Sequence, residues 1–270
     1  MNMRRVSHAI GFATSLMLFS AIANAQSIVG SKHDLGLATG NTTEACVFCH
    51  TPHGSDTSAA VPLWNKTLPS TTYQRYSTLN TSTLDGTEAP IGSVSLACLS
   101  CHDGTSAIDT VLNMPGSGMN SGQIDSAVFL GDMNAYLGGT GTPVPVLGSD
   151  LRNDHPVSIQ YGGGGAAGGN PDGEFSAFVD SGFNTIDKDT INGNPAWWVD
   201  SIADNDIRDK TDMLLYTRTD GPVGAAGEPM VECASCHDPH NADTGIAAES
   251  VSFLRIANTS SQICTTCHAK

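Results

Sequence analysis

The chain has 270 residues, with 12 Lys and Arg against 27 Asp and Glu and a formal net charge of −15. So acidic a surface disfavours nucleic acid and anionic membrane as partners and suits a well-solvated protein outside the cell. Hydrophobic residues make up 39%, below the roughly 45–50% of an ordinary globular domain, so apolar bulk must come from something besides side chains.

Taken in chain order, the first element is a leader. Met1-Asn2-Met3-Arg4-Arg5 opens with basic residues, and an apolar stretch over 9–23 ends in Ala23-Asn24-Ala25 before Gln26. That arrangement reads as a secretory signal peptide over 1–25. The apolar run is too short and too rich in Ser and Thr to span a bilayer. No second long apolar stretch follows, so no membrane anchor is expected. Arg4-Arg5 hints at twin-arginine export, but its flanking residues suit the general secretion route better. Loss of both arginines makes the exported chain more acidic still.

The sequence Cys-x-x-Cys-His then occurs four times, at 46–50, 98–102, 233–237 and 264–268. It is the attachment signature of c-type haem. Two thiols form thioethers to the porphyrin edge, and the adjacent imidazole meets the iron from one face. Covalent attachment would use Cys46, Cys49, Cys98, Cys101, Cys233, Cys236, Cys264 and Cys267, which are all 8 cysteines of the chain. The proximal iron ligands would be His50, His102, His237 and His268. Paired thiolates also suit tetrahedral zinc, but zinc does not ask for a His after every second Cys. Disulfides within each pair would close loops too small to stabilise much.

The motifs divide the exported chain. Residues 26–112 form an N-terminal dihaem segment and 229–270 a C-terminal one. Residues 113–228 carry no motif and are rich in Gly, Asn, Asp and Ser, with Gly162-Gly163-Gly164-Gly165 and Gly168-Gly169 at the centre. These signals read as turns. Within them, Pro156-Val157-Ser158-Ile159-Gln160-Tyr161 alternates weakly as a short strand, and Pro195-Ala196-Trp197-Trp198 reads as a short helix capped by Asn194. The first motif of each half extends to Cys-His-x-Pro-His, a weak repeat of a dihaem unit. The expected fold is a mostly irregular multihaem cytochrome c, with short helices at the motifs and a few short strands. The four c-type haems form its core, and the apo chain is not expected to fold.

Of the 9 histidines, His8 lies in the leader and four serve the motifs. His33, His53, His155 and His240 remain for four sixth positions. His53 follows His50 by three residues, so the porphyrin held by His50 blocks it from that haem's far face; it can point to a neighbouring haem. His240 stands in the same relation to His237. His33 is near enough in sequence to fold over haem 1, and His155 lies on a candidate strand that can cross haem 2. Asp34 and Asp154 are placed to orient these imidazoles through Nδ1–H, although surface solvation accounts for them equally well. All-histidine ligation implies low-spin iron at low potential. Met114, Met119, Met133, Met213 and Met230 are alternative ligands that would raise it, but the histidine count makes them unnecessary. Asp187-Lys188-Asp189-Thr190-Ile191-Asn192-Gly193 has a partial calcium-loop look, with Ile191 where an oxygen ligand belongs. Asn41, Asn65, Asn80 and Asn258 begin Asn-x-Ser/Thr sequences, which are common by chance.

Cys46 through His53 with Pro52, Leu63-Trp64-Asn65, Asn153-Asp154-His155-Pro156-Val157-Ser158 and the closing Cys264 to His268 together resemble a family. It is the group of extracellular tetrahaem cytochromes that polymerise into nanowires (OmcE-like), within the wider set of doubled Cys-x-x-Cys-His cytochromes. The resemblance covers the haem-bearing ends and the His155 segment. It implies a continuous stack of bis-histidine haems along a filament, with one sixth ligand donated across the subunit interface; here the donor would be His53. The wiring expected on that basis pairs His50 with His33, His102 with His155, and His268 with His240. His237 would then pair with His53 of the next subunit in a homopolymer. Two alternatives stay open: His53 ligates haem 3 of its own chain, or the two x-Pro-His histidines swap between haems 1 and 3.

Three functions follow from these readings. The first is an extracellular, filamentous electron conduit. The second is a soluble periplasmic shuttle with the same chemistry but no polymer. The third, a multihaem oxidoreductase, needs an iron with an open position, and a ligand exists for each iron. The chain therefore reads as an electron carrier and not as an enzyme. Its expected partners are other cytochromes or redox proteins, with no nucleic acid.

Overall fold

A computed structural model of the chain describes residues 28–36, 44–105, 111–113, 145–165, 178–202, 207–218, 229–241 and 253–269. The leader, Asn41, Met114, Met119, Met133 and the Gly168-Gly169 pair lie outside these residues. Much of the described chain is turn and irregular segment, set around one antiparallel sheet and three short helices.

The sheet consists of β1 (Ile159–Gln160), β2 (Asp187–Ile191), β3 (Asn194–Val199), β4 (Met213–Thr217) and β5 (Pro229–Val231), in the order β1-β5-β4-β3-β2. All neighbours pair antiparallel. The β2–β3 hairpin turns at Asn192 and Gly193, whose φ angles are 53° and 81°. Two successive positive φ values are what a two-residue type I′ turn needs, and Asn-Gly supplies them at least cost. Two sequence expectations are corrected here. The calcium-like stretch 187–193 is strand and turn, with Asp187 and Asp189 on an edge strand. The segment beginning at Pro195 is not a helix: Trp197 pairs with Leu215 and Trp198 with Leu214 across β3 and β4. Aromatic and aliphatic partners on a half-buried sheet override the capping signal at Asn194.

A Cβ at Gly193 would meet nothing within 4 Å, so Gly193→Val tests backbone strain alone. It should lower stability by about 1–2 kcal/mol. A lower denaturant midpoint with an unchanged visible spectrum is the expected readout.

One face of the sheet packs Ile159, Tyr161, Ile186, Trp197, Val199, Met213, Leu215, Val231 and Ile256 into a core, against which Cys236 and Cys267 lie. Side chains thus supply an apolar core of their own here, beyond the one expected from haem. Met213 and Met230 are buried sheet residues, 0% and 2% exposed, and Met213 belongs to this core. The Tyr161 hydroxyl ties the sheet to the C-terminal motif by donating toward the carbonyls of Asn184 (3.0 Å) and Cys267 (3.1 Å). Phe178 and Phe183 stand edge-on to the Tyr161 ring.

The helices are α1 (Ser93–His102), α2 (Cys233–Cys236) and α3 (Gln262–Cys267). Each overlaps a Cys-x-x-Cys-His motif. β5 feeds α2 through Glu232 alone, so the middle segment and the C-terminal segment share one sheet. Among the described residues no helix is long and apolar enough to cross a membrane.

Candidate haem-binding site

Each motif is folded as one helical turn. The backbone N–H of His50 donates to the carbonyl of Cys46 at 2.8 Å, His237 to Cys233 at 3.1 Å and His268 to Cys264 at 2.9 Å; His102 closes the same turn inside α1. Positions i, i+3 and i+4 share a helix face. The first Cys, the second Cys and the His therefore face one side, as a group held by two thioethers and one imidazole requires. Motif 1 makes this turn without a regular helix around it.

A haem ligated by two histidines would take one imidazole on each side, so the unit to seek is a pair of imidazoles. With a metal–nitrogen bond of about 2 Å and a ring radius of about 1.1 Å, trans imidazoles on one iron hold their centroids about 6.2 Å apart. Three pairs lie at this distance. His50 and His240 are 6.1 Å apart with planes 18° from parallel. His33 and His102 are 6.3 Å apart at 71°. His155 and His268 are 6.4 Å apart at 58°. Each joins a motif histidine to a histidine outside the motifs. These pairs differ from the expected wiring: His33 sits beside His102 rather than His50, His155 beside His268 rather than His102, and His240 beside His50 rather than His268. His53 and His237 complete the set of eight ligand candidates.

The other ring nitrogen of most of these imidazoles is also engaged. Nδ1 of His50 faces the carbonyl of Pro62 at 2.8 Å, that of His102 the carbonyl of Pro145 at 2.9 Å, and that of His155 the carbonyl of Pro156 at 3.0 Å. Nδ1 of His33 is 3.4 Å from the carbonyl of Pro239. A carbonyl only accepts, so the proton resides on Nδ1 and Nε2 keeps its lone pair for a metal. The expected roles of Asp34 and Asp154 are thereby reassigned. Asp34 accepts from the backbone N–H of Gly30 at 2.8 Å. Asp154 has its carboxyl held above the usual range by burial and by Asp150. The aspartate that does lie beside a candidate ligand is Asp238, whose Oδ1 is 3.6 Å from Nδ1 of His240. Burial, followed by His102, lowers the pKa of His33 to about 4, so it is a neutral imidazole near pH 7. Phe253, stacked on His33 at 4.1 Å, fixes its plane.

Burial also holds several thiols in the neutral form. Burial, then Cys101, pushes Cys49 up to about 12. Burial, then Cys233, pushes Cys236 to about 11, and burial, then Cys236, pushes Cys267 to about 12. A thioether carries no charge, so these buried positions accommodate one. The Cys98 and Cys233 thiols hydrogen-bond each other, which raises the first and lowers the second.

An orphaned donor gives a further test of fit. Trp64 is 7% exposed, stands edge-on to His50 at 6.3 Å, and its indole N–H has no acceptor among the described residues. Buried indole N–H groups normally find a partner, and a haem propionate beside His50 would be one. These residues fit the group.

Two contributors escaped the sequence reading: the proline carbonyls and Asn65. Asn65 is fully buried. Its amide donates to the carbonyls of Val47 (2.7 Å) and Asn113 (2.9 Å), and its Oδ1 accepts from the Asn113 N–H at 2.9 Å. It is a brace for motif 1, inaccessible to a sugar. Asn65→Ala should cost about 2–4 kcal/mol through lost bonds and stranded partners, read as a lower unfolding midpoint.

Comparison with protein-family models and with curated proteins finds no match to this chain.

Proposed function

We propose that the chain is a tetrahaem c-type cytochrome that carries electrons along bis-histidine haems, polymerised as an extracellular filament. The observation that carries this reading is the set of three imidazole pairs at trans-ligand spacing. Each includes one motif histidine, and the Nδ1 atoms of His33, His50, His102, His155 and His240 face a carbonyl or carboxylate. On this basis Cys46 and Cys49 hold haem 1 between His50 and His240. Cys98 and Cys101 hold haem 2 between His102 and His33, and Cys264 and Cys267 hold haem 4 between His268 and His155. Cys233 and Cys236 hold haem 3 on His237, with His53 of the adjacent subunit as its second ligand. When bound, haem supplies one-electron exchange between ferric and ferrous iron. The chain's part is to fix each imidazole tautomer, exclude competing ligands and hold the sites close together.

The attachment thiols support a path in motif order. Cys49 lies within electrostatic reach of Cys101, Cys98 touches Cys233, and Cys236 lies within reach of Cys264 and Cys267. Two ligands on every iron leave no position for a substrate, which is why the reading is a carrier and not an enzyme. The leader implies export. The test is to purify the protein from its native host's extracellular fraction, count haems by pyridine haemochrome and image the sample. Four haems per chain, wholly low-spin, in thin uniform filaments are expected. Discrete monomers with four low-spin haems would replace the filament with a soluble shuttle, and absence of covalent haem would end the reading.

A further inference from the structure

Motifs 2 and 3 meet at a buried charge. Glu232, 1% exposed, precedes Cys233 and caps α2: its side chain accepts from the Ser235 backbone, while Ser235 Oγ accepts from the Glu232 N–H at 2.9 Å. Its Oε2 also accepts from Ser95 Oγ of α1 at 2.5 Å and from Ser158 Oγ, just before β1, at 3.0 Å. Ser95 Oγ in turn accepts from the N–H of Cys233 at 2.9 Å. Oε1 lies 3.6 Å from Nη1 of Arg218, at the end of β4, with side-chain exposures of 0% for the glutamate and 4% for the arginine. The same Nη1 donates to the carbonyl of Pro90 at 2.8 Å. A Cβ at Gly92 would meet the Arg218 guanidinium, so the glycine leaves room for it.

A buried ion pair is a poor device for stability alone, since well-packed apolar residues of similar volume do as well or better. This one stands where two attachment points touch: Glu232 is bonded to Cys233, and the Cys233 thiol meets that of Cys98. In a low-dielectric interior a fixed charge acts strongly on neighbouring redox centres, as charge and hydrogen bonding do for metal potentials generally. A carboxylate favours ferric iron, and a guanidinium favours ferrous iron.

We infer that Glu232 and Arg218 are positioning residues that set the reduction potentials of the haems at motifs 2 and 3, with opposite sign. The inference rests on the tetrahaem reading above. The experiment uses the full-length, haem-loaded protein and its Glu232→Gln and Arg218→Gln variants. Haems are counted by pyridine haemochrome, and each is titrated by spectroelectrochemistry with paramagnetic NMR methyl signals to identify it. Glu232→Gln should raise the midpoints of haems 2 and 3, and Arg218→Gln should lower them. Each change should reach up to about tenfold in the ferric-to-ferrous ratio, or about 59 mV for a one-electron centre, while haems 1 and 4 move less. Shifts of the same sign in both variants, or no shift with four haems in place, would overturn the inference. Should either variant fail to accumulate, Ser95→Ala decides: both charges remain, the carboxylate loses one donor, and the same two midpoints fall. An unmoved pair of midpoints in Ser95→Ala would also overturn it. A wild-type protein without covalent haem would instead remove the tetrahaem reading itself.

Discussion

His53→Ala is expected to abolish filaments and leave a tetrahaem monomer. His53 is exposed, yet its backbone is fixed. Thr51 Oγ1 donates to the His53 carbonyl at 2.9 Å, and the Asn113 amide donates to the carbonyl of Gly54 at 2.9 Å. Gly54 holds φ +64°, a left-handed conformation that glycine adopts without Cβ strain. An exposed imidazole on a clamped turn is preorganised for a ligand outside its own chain, and little ordering entropy remains to be lost on binding. In the proposed filament the contact is heterologous, so it would repeat at every interface and its loss would be multiplied along the length. Covalent attachment does not involve His53, so haem content should stay at four. Electron microscopy and sedimentation should show discrete particles, and electron paramagnetic resonance should show one high-spin iron per chain. Filaments that persist with four low-spin haems would rule His53 out as the linking ligand. A destabilised monomer with one altered haem, derived from a wild type that was itself monomeric, would favour ligation inside one chain.

The motifs were legible because their geometry is local: Cys, Cys and His at i, i+3 and i+4 share a face in any helical turn. Partner choice was not legible. His33 precedes motif 1 closely, and proximity in sequence put it over haem 1; the chain instead carries it to His102, with Phe253 from the far end of the sequence stacked on its ring. His240 likewise precedes motif 4 but lies beside His50. Such pairings depend on long loop paths, which neither composition nor periodicity encodes. The orienting groups were hidden for a related reason. A search for acceptors among side chains finds Asp34 and Asp154, whereas backbone carbonyls, available at every residue, leave no trace in a sequence. The hairpin at Asn192-Gly193 was different. Its signal was present, but acidic residues before it drew a metal reading, and Asn194-Pro195 drew a helix reading. The apolar run Trp197, Trp198 and Val199 is too short to reveal a strand without its partner β4.

His240→Met separates the geometric wiring from the sequence-order wiring. Exchange of one axial imidazole for a thioether raises the potential of the haem concerned, here by on the order of 0.1 V within the roughly 0.8 V that axial ligands span. The 6.1 Å pairing with His50 assigns that haem to motif 1, whereas sequence order assigns it to motif 4. Haem-resolved potentiometry should therefore show haem 1 moving up and haem 4 unmoved, with the charge-transfer band of a methionine–iron bond appearing once. A second variant removes dependence on spectral assignment. Cys46→Ala with Cys49→Ala deletes the thioethers of haem 1, and in that background His240→Met should change no remaining midpoint. If His240 served haem 4, the shift would survive loss of haem 1 undiminished. Non-additivity between sites is the signature of a shared partner. Here the cysteine pair and His240 lie in segments on either side of the Gly-rich middle, and a haem held jointly by His50 and His240 would couple them.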